Sequence, residues 1–521
     1  MYNSQFKHIY IYCILIFCVV FFTRLFFIAD IAFHWDSVNF SYGIINYSIM
    51  EHSPQPPGYI GYILLGKLFY PFIKNPHFIL VLISMIMGSV SVVLLYIISK
   101  CFVEDKTARL GMYLFMTGPL LWSYSVVAMS YTPSMTIAMI FILTGVLGIK
   151  TQRQKWFYLS GIFYSILGSF RLTDMIFMFP LAVYFLIHVK SKHRYYISII
   201  TILISIIWFY YMLWLTGGIE IYWNLLFDQF FYSAWQKSPV IHPRLDLIPI
   251  ISKILVGTFW LSPGMFIIVL LALIMRKYRR NMPKNLILLI TLGICPLYAF
   301  LFIVHIGEFG YLLLGAPFLF LGSIYLAQDL IENKMWFRML IGSLVVIQCF
   351  IFVDGKSLSK DNQEYAPKDF HTELFNYYTG DGIRYHADKL ERSYRYLGSS
   401  YQPDETLIFL SLLNSKYDSS RQLIYYLLKF TSNVWGVYPA EQTYEILSRW
   451  KDHDILFKKD IPGEIRYIIL WSRELFDKNL NQEEYPAFNI DIPGGKTIQV
   501  IYILSPTEVL LSKEGFILLK K

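Results

Sequence analysis

The chain has 521 residues, of which 56% are hydrophobic and 18% aromatic, and its formal net charge is +9. This composition lies outside the range of soluble globular proteins. The basic residues stand in short clusters between apolar runs, a pattern that argues against nucleic-acid binding and indicates loops that orient membrane helices.

Eleven apolar stretches predict membrane-spanning helices, since about 20 residues cross a hydrocarbon layer of about 30 Å. They are 8–29, 76–99, 109–126, 132–149, 156–170, 175–189, 196–215, 249–275, 285–304, 310–330 and 336–353. The first is too long for the core of a signal peptide and predicts an uncleaved helix. The fifth and sixth are short, so the intervening 171–174 could instead lie inside a broken hairpin.

The loops predict the orientation. Lys and Arg concentrate in alternate loops, at 100–109, 150–155, 190–194, 276–284 and 334–338, whereas the short loops 127–131 and 305–309 have none. The positive-inside rule then places the N-terminus in the cytoplasm. The first loop, the loop 216–248 and everything after residue 354 are expected outside.

The first outer loop, residues 30–75, differs from a simple connection. Ser37–Glu51 and Gly58–Phe72 have helical periodicity but too many polar positions to span, which predicts two helices lying along the membrane surface. A stiff corner, Pro54-Gln55-Pro56-Pro57-Gly58, joins them.

Residues 355–521 predict a soluble α/β domain, following a membrane domain over residues 1–354. Charged residues become frequent, and strand-length runs occur at Thr406–Ser411, Arg466–Trp471 and Thr497–Ile503. A helix is expected at Ala440–Trp450 and a turn at Pro493–Gly495. The five cysteines lie in or beside apolar segments without a Cys-x-x-Cys or Cys/His cluster, so neither a disulfide framework nor a zinc site is expected.

Asp36 is the candidate catalytic residue. A carboxylate at the edge of a low-dielectric region can act as a general base towards an attacking hydroxyl. The alternative is a helix N-cap, because Asp36 precedes an apolar periodic run.

Other ionisable residues are candidate ligands of a substrate phosphate. Arg24 lies inside the first apolar run and either binds such a phosphate or extends to the outer headgroups. Arg171 and Asp174 form either a structural salt bridge or a phosphate-binding fork that Asp174 orients. His305, Glu308 and Tyr311 suggest the wall of a polar pocket on the outer side, although glycines in this turn can serve geometry alone. His52 and Lys67 are further candidate phosphate ligands.

Two motifs resemble a known group of enzymes. His52-Ser53-Pro54-Gln55-Pro56-Pro57-Gly58-Tyr59 is similar to the HPPGYPL-like motif, and Gly307-Glu308-Phe309-Gly310-Tyr311-Leu312 to the G-x-P-G-Y-L turn, of bacterial GT-C membrane glycosyltransferases. With the first-loop acid, the layout of residues 1–353 resembles the branch of the GT-C superfamily that contains protein O-mannosyltransferases and aminoarabinose transferases.

The resemblance implies an activity. Asp36 would take the place of the family's first-loop catalytic acid, and Ser37 stands where many relatives carry a second acid, which leaves that role unassigned. The implied donor is a sugar on a polyprenyl phosphate, transferred with inversion to a hydroxyl of a protein, lipid or glycan acceptor. No metal or other cofactor is expected, since polyprenyl phosphate is a stable leaving group that nearby Arg or Lys can stabilise.

Other classes of protein remain as alternatives. A transporter or flippase of lipid-linked sugars should show internal repeats or paired broken helices with charges at the membrane midplane, and here polar residues concentrate on one face. A lipid-linked glycan polymerase or ligase should carry its large catalytic loop late in the chain. The third alternative is a catalytically inactive relative whose outer domain has a binding role. The sequons Asn39-Phe-Ser41 and Asn46-Tyr-Ser48 beside Asp36 favour a bacterial cytoplasmic membrane, where glycans would not obstruct the loop.

Overall fold

A computed structural model describes residues 2–32, 34–229, 238, 247–275, 281–303, 307–358, 370–411, 420–427, 434–437, 455–476, 485–503, 506–512 and 516–520. The apolar runs form helices, because a helix satisfies every backbone polar group within its own segment. Up to residue 354 the helices are α1 (Tyr2–Leu25), α2 (Trp35–Ile45), α3 (Ile60–Phe69), α4 (Pro76–Lys100), α5 (Asp105–Met116), α6 (Pro119–Ser125), α7 (Tyr131–Thr151), α8 (Gln154–Phe170), α9 (Leu172–Phe177), α10 (Phe179–Ile187), α11 (Ser191–Thr216), α12 (Ile219–Gln229), α13 (Leu247–Leu261), α14 (Pro263–Ile274), α15 (Lys284–Ile303), α16 (Ala316–Asn333) and α17 (Met335–Asp354).

The predicted multi-pass helical fold is confirmed. Within the described ranges, α1, α4, α7, α11, α15 and α17 are long and apolar enough to cross a membrane. Helices α13 and α14 make a seventh span if counted together, but they are bent by 95°. The count of eleven spans stays a prediction.

Besides 249–275, which is divided between α13 and α14, three predicted spans are not continuous helices. The span 109–126 is divided between α5 and α6, 175–189 between α9 and α10, and 310–330 begins with a 3-10 turn at Phe309–Leu314 before α16. A proline occupies the first turn of α6, α10, α14 and α16. Proline has no N–H to donate and clashes with the preceding turn, so it favours the start of a helix and disfavours a helix interior, although α15 contains Pro296. Hydropathy alone does not register these interruptions.

Two of the interruptions pack against each other. A Cβ atom on Gly118, between α5 and α6, would lie 2.2 Å from the Leu261 carbonyl oxygen at the bend before α14. The Ser262 hydroxyl accepts a hydrogen bond from the Met265 N–H at 3.2 Å and so caps α14. The chain therefore changes direction at both points within close-packed protein, where broken helices are tolerated.

The side-chain amide of Gln348 on α17 forms hydrogen bonds with residues at both of these helix interruptions. Its Oε1 accepts from Ser262 Oγ and from the Gly264 N–H at 3.0 Å. Its Nε2 donates to the Leu114 carbonyl at 3.1 Å and to Thr117 Oγ1 at 2.8 Å. An amide side chain has two donors and two acceptor sites, and all four are used here.

We expect Gln348→Leu to lower the free energy of unfolding by roughly 2–4 kcal/mol, because it leaves buried polar partners unsatisfied. Thermal unfolding of the detergent-solubilised protein measures the effect. Gln328→Leu is the matched control, since Gln328 is equally buried on α16 while its Oε1 has no hydrogen-bond partner among the described residues. Equal destabilisation by both variants would contradict the special role of Gln348.

Both helices predicted in the first outer loop are present and shorter than expected. Helix α2 ends at Ile45 instead of Glu51, and α3 begins at Ile60 instead of Gly58. The corner between them contains two residues with left-handed backbone, His52 with φ 52° and Tyr59 with φ 46°. Their orientation along the membrane surface stays a prediction.

The predicted C-terminal α/β domain is confirmed as a fold class. Its described elements are α18 (Phe370–Tyr377), α19 (Gly380–Ser400), β1 (Thr406–Ser411), α20 (Ser420–Tyr426), β2 (Val434–Val437), β3 (Ile455–Asp460), β4 (Tyr467–Leu470), β5 (Ala487–Asp491), β6 (Thr497–Tyr502), β7 (Thr507–Ser512) and β8 (Phe516–Lys520). One sheet has the order β2-β1-β4-β6-β5 and the other β3-β7-β8. The predicted turn is present, with Gly494 at φ 66°. The helix predicted at Ala440–Trp450 lies outside the described residues.

The two sheets differ in how their strands pair. In the first sheet β1 is parallel to β2 and β4, whereas β6 is antiparallel to β4 and β5. The second sheet is antiparallel throughout. Buried side chains from both sheets form one apolar core: Leu407, Phe409, Ile468, Leu470, Ile501, Val509 and Leu518.

Contacts divide the chain into two compact units whose limits differ from a single cut after residue 354. One comprises Met1–Ile28 and Asn39–Ile383, and the other Ala29–Val38 and Arg384–Lys521. The short segment Ala29–Val38 thus packs with the C-terminal residues. The functional division at residue 354 stays a prediction.

Candidate active site

Arg171 stands at the break between α8 and α9. Its backbone is extended, with φ −153° and ψ 107°, so it ends one helix and begins the next. The side chain is only 3% exposed. A buried guanidinium is costly unless charged or polar partners surround it, and such residues in membrane domains are commonly functional.

Polar contacts hold the guanidinium on two of its three nitrogens. Nε lies 3.3 Å from Asp174 Oδ1, and Nη1 donates to Ser130 Oγ at 2.9 Å. Asp174 in turn accepts from Ser134 Oγ at 2.6 Å on its other oxygen. The remaining nitrogen, Nη2, has no hydrogen-bond partner among the described residues. The structure thus contains the predicted salt bridge and leaves one donor edge of Arg171 unused.

Three tyrosine rings surround the same guanidinium. Its central carbon lies 4.0 Å from the ring centroid of Tyr131, 4.8 Å from that of Tyr311 and 5.6 Å from that of Tyr59. Cation–π attraction stabilises the charge without using its N–H groups. Arg171 is therefore kept charged and fixed in position while it can still donate to another group.

The Pro-rich corner brings Tyr59 to this place. Gly58 has φ 111°, a conformation that side chains rarely adopt, and an added Cβ would lie 2.6 Å from Met212 Sδ. Tyr47 Oη donates to the Gly58 carbonyl at 2.8 Å. Only glycine fits this turn, and the turn sets the direction in which Tyr59 enters α3.

Glu308 forms a second polar group beside this cluster. Its Oε2 accepts from Tyr378 Oη at 3.0 Å and from Tyr124 Oη at 3.4 Å. Tyr124 stacks edge-to-face on Tyr131, with 5.1 Å between centroids, and so links Glu308 to the rings around Arg171. The Tyr131 ring also lies 5.4 Å from that of Tyr311, and the role of Glu308 and Tyr311 as a pocket wall stays a prediction.

Asp36 lies in the first turn of α2 and is not its N-cap. The helix begins at Trp35, and the Asp36 N–H donates to His34 Nδ1 at 3.0 Å, while the His34 carbonyl accepts from the Val38 N–H at 3.3 Å. His34 therefore caps the helix. An acidic side chain in the first turn interacts favourably with the helix dipole.

The segment that carries Asp36 is packed into the C-terminal unit. Ala29 and Ala32 are buried, and the Ala32 N–H donates to Tyr426 Oη on α20. Asp36 itself is half-buried. The position of the segment that leads to Asp36 thus depends on contacts with residues far away in sequence.

Arg24 does not extend to the membrane headgroups, so that interpretation is wrong. The side chain is 2% exposed, lies 4.3 Å over the Trp122 ring and donates to the carbonyl of Met116, the last residue of α5. A cation at a helix C-terminus satisfies a free carbonyl and complements the helix dipole. These contacts give Arg24 a structural task, and its binding of a phosphate stays a prediction.

The remaining predicted ligands are less informative. The His52 N–H donates to the Ile49 carbonyl within the corner, and Lys67 is half-buried on α3. His305 lies outside the described residues. The phosphate-binding roles of all three stay predictions.

The fold also brings together three carboxylates that are far apart in sequence. Oxygens of Asp30, Asp388 and Glu391 lie within 4.8 Å of one another in the C-terminal unit. Asp30 and Asp388 are exposed, and Glu391 also forms an ion pair with Arg395. Exposed acidic groups commonly approach one another without a metal, so this cluster does not define a metal site.

The sequence does not identify several residues of the Arg171 cluster as site residues. Ser130, Tyr131 and Ser134 stand at the start of α7, and Tyr59 ends the Pro-rich motif without a predicted role of its own. The sequence signal for them is the composition of 123–134, where hydroxyl-bearing residues concentrate around the predicted outer loop 127–131 and Lys and Arg do not occur.

Known proteins provide a comparison for this arrangement. Residues 56–213 match the family model described as dolichyl-phosphate-mannose-protein mannosyltransferase. The matched region contains Tyr59, Tyr131 and Arg171, and Asp36 lies before it. No curated protein matches the chain in sequence.

Solved structures match over nearly the full length. The chain is similar to the crystal structure of ArnT from Cupriavidus metallidurans bound to undecaprenyl phosphate, with 10% identity, 94% of this chain and 97% of that chain covered, and a TM-score of 0.56. The same protein in the apo state gives 10% identity, 96% and 98% coverage, and a TM-score of 0.54. At this identity the likeness shows a shared fold.

Proposed function

We propose that this chain, which has the GT-C fold of membrane glycosyltransferases, transfers a sugar from a polyprenyl-phosphate donor to an acceptor hydroxyl at the outer face of the membrane. The observation that carries the proposal is the Arg171 guanidinium, buried and held on Nε and Nη1 while Nη2 has no partner among the described residues. An unused donor edge on a fixed cation is suited to an anionic oxygen.

Arg171 binds the donor phosphate in this scheme. Asp174 and Ser130 orient the guanidinium, and the rings of Tyr59, Tyr131 and Tyr311 keep it charged in an apolar surrounding. As the glycosidic bond breaks, negative charge grows on the leaving phosphate oxygen. A donor that is already in place stabilises that charge without reorganising. The match of the surrounding residues to a family named for dolichyl-phosphate-mannose supports a phosphate of this class.

Asp36 acts as the general base. It takes the proton of an acceptor hydroxyl, whose oxygen attacks the anomeric carbon from the face opposite the leaving phosphate, so that the configuration inverts. The position of Asp36 in the first turn of α2, at the boundary between an apolar helical run and a polar loop, supports this role. The phosphate leaves as a stable anion and needs no strong general acid.

We further propose that the protein resides in a bacterial cytoplasmic membrane, with the first loop and the C-terminal domain outside. The alternation of basic and uncharged loops supports this orientation. A lipid-carried donor fits that side, where nucleotide sugars are absent. The acceptor is a protein, lipid or glycan of the cell envelope.

A flippase of lipid-linked sugars is the second candidate, because interrupted helices are typical of transporters. Helices α5/α6, α9/α10 and α13/α14 are interrupted in this way. The two functions differ in their products. A transferase releases the free polyprenyl phosphate and a glycosylated acceptor, whereas a flippase leaves the donor intact.

Mass spectrometry of surface glycans and lipid-linked sugars in a strain without the gene tests the proposal. We expect one surface sugar to disappear while its polyprenyl-phosphate donor accumulates. Incubation of the purified protein with that donor should release polyprenyl phosphate. Loss of the surface sugar with unchanged donor chemistry, accompanied by a transmembrane shift of the donor in proteoliposomes, would instead establish the flippase.

A further inference from the structure

A row of aromatic side chains crosses one face of the C-terminal domain. The residues of this aromatic row are, in order, Tyr396, Tyr401, Tyr467, Tyr502 and Phe488. Successive ring centroids are 6.3, 5.4, 5.6 and 5.7 Å apart. Every pair meets edge-to-face, with interplanar angles of 65–77°. The row is therefore continuous from the end of α19 to the edge strand β5.

Sheet register places the last three rings on one face. Tyr467 pairs directly with Tyr502 across β4 and β6. Phe488 on β5 pairs with Val500, which lies two residues before Tyr502 on β6 and points to the same side. The order β4-β6-β5 makes them neighbours in the sheet. A rigid sheet thus presents these rings at fixed spacing.

The aromatic row is open to solvent where a soluble domain would usually place polar residues. Phe488 is 51% exposed and Tyr502 is 45% exposed. Tyr396, Tyr401 and Tyr467 are half-buried. The apolar core shared by the two sheets lies on the opposite side, with Ile468, Leu470 and Ile501, while Ile469 and Val500 on the side of the row are also buried. An exposed strip of large aromatic rings on a folded domain commonly marks a binding surface.

Two cations adjoin the aromatic row in sequence, and among the described residues each lies against an acidic side chain. Arg395, next to Tyr396, lies against Glu391, and Arg466, next to Tyr467, lies 3.5 Å from Glu405. Attraction to anionic lipid needs clustered Lys and Arg on the membrane-facing side. Two isolated and neutralised cations do not supply it. A neutral partner fits better than an anionic bilayer or an anionic polymer.

The rings also carry hydrogen-bonding groups. Four of the five are tyrosines, whose neutral hydroxyls can donate and accept hydrogen bonds. Burial, followed by the neighbouring tyrosines, raises the pKa of Tyr401 to about 12. An apolar face bordered by hydroxyl groups is complementary to a pyranose ring, which has a face of C–H bonds and a rim of hydroxyls. Rigid tyrosines provide such amphipathic contact at low entropic cost.

We infer that the aromatic row binds a neutral saccharide chain, with successive sugar rings stacking on Phe488, Tyr502 and Tyr467. This inference rests on the proposed function in one respect: a glycosyltransferase whose acceptor is a glycan has a use for such a surface. Binding itself requires neither Asp36 nor Arg171. The surface therefore gives the C-terminal domain a task of its own.

Saturation-transfer NMR with the full-length protein in nanodiscs tests the inference. The probes are three neutral linear hexasaccharides, maltohexaose, cellohexaose and mannohexaose, without any donor. We expect saturable binding of at least one of them and about tenfold weaker binding in Phe488→Ala and in Tyr502→Ala. Tyr385→Ala is the matched control, because Tyr385 is 54% exposed in the same unit and does not belong to the aromatic row.

The outcomes separate this inference from the proposed activity. Asp36→Asn and Arg171→Lys should bind the hexasaccharide as the unaltered protein does, even where transfer is lost. Binding that all row variants retain, or the absence of binding by all three probes at millimolar concentration, would overturn the inference. So would strong quenching of a Tyr502→Trp variant by brominated phosphatidylcholine in the nanodisc, since this would show that the row faces lipid.

Discussion

Asp36→Asn is expected to lower the rate of sugar transfer by about 10²–10⁴-fold, the usual effect of losing a general base. The amide has nearly the same shape and cannot accept the proton. Because His34 rather than Asp36 caps α2, the change leaves the cap of this helix in place. Release of polyprenyl phosphate from the purified donor measures the rate.

Asp30→Asn is the control for this prediction. Asp30 is an exposed carboxylate six positions earlier, in the same segment that packs with the C-terminal residues. It should retain nearly full activity. A similar loss in both variants would mean that the segment as a whole matters and that no base has been identified, and full activity of Asp36→Asn would remove Asp36 from the mechanism.

Arg171→Lys is expected to lower transfer by about 10²-fold or more. Lysine keeps the positive charge, but its three donors share one nitrogen, so it cannot place them where Nε, Nη1 and Nη2 of Arg171 lie. Arg171→Ala is less informative, because it leaves Asp174 as a buried unpaired charge at a cost of roughly 3–5 kcal/mol and endangers folding. Binding can be measured separately as the stabilisation of the protein by undecaprenyl phosphate in thermal unfolding.

Arg24→Lys distinguishes a phosphate ligand from a structural cation. Arg24 is as buried as Arg171 and also stacks on an aromatic ring, but its contacts lead to the end of α5. We expect this variant to unfold at a lower temperature while undecaprenyl phosphate still stabilises it. Stabilisation that survives in Arg171→Lys and is lost in Arg24→Lys would reverse the two assignments.

Much of the fold follows from the sequence because its causes are local. Length and hydropathy predict α4, α7 and α11 within a few residues, and apolar runs of strand length predict β1, β4 and β6. Hydropathy does not predict the helix interruptions, although the sequence shows prolines at 119, 180 and 263. A hydropathy window averages over a single proline, and whether the chain bends there depends on partners such as Gln348, which is distant in sequence.

The candidate site was predictable only in part. A charged pair in an apolar stretch drew attention to Arg171 and Asp174, since such residues are costly in a membrane. The tyrosines around Arg171 come from the start of α3, the start of α7 and the turn before α16. No single segment of the sequence predicts that these three places lie together. Likewise, the sequence favours Asp36 as the helix cap because histidine is uncommon in that position. Only the hydrogen bond from the Asp36 N–H to His34 Nδ1 identifies His34 as the cap.

The packing of Ala29–Val38 with Arg384–Lys521 has a consequence for how this protein can be taken apart or recombined. A truncation after residue 383 would not simply detach an accessory module. It would expose Ala29 and Ala32 and remove the packing that holds the segment carrying Asp36. Chimeras that exchange the C-terminal portion between homologues would have to carry these ten residues with it.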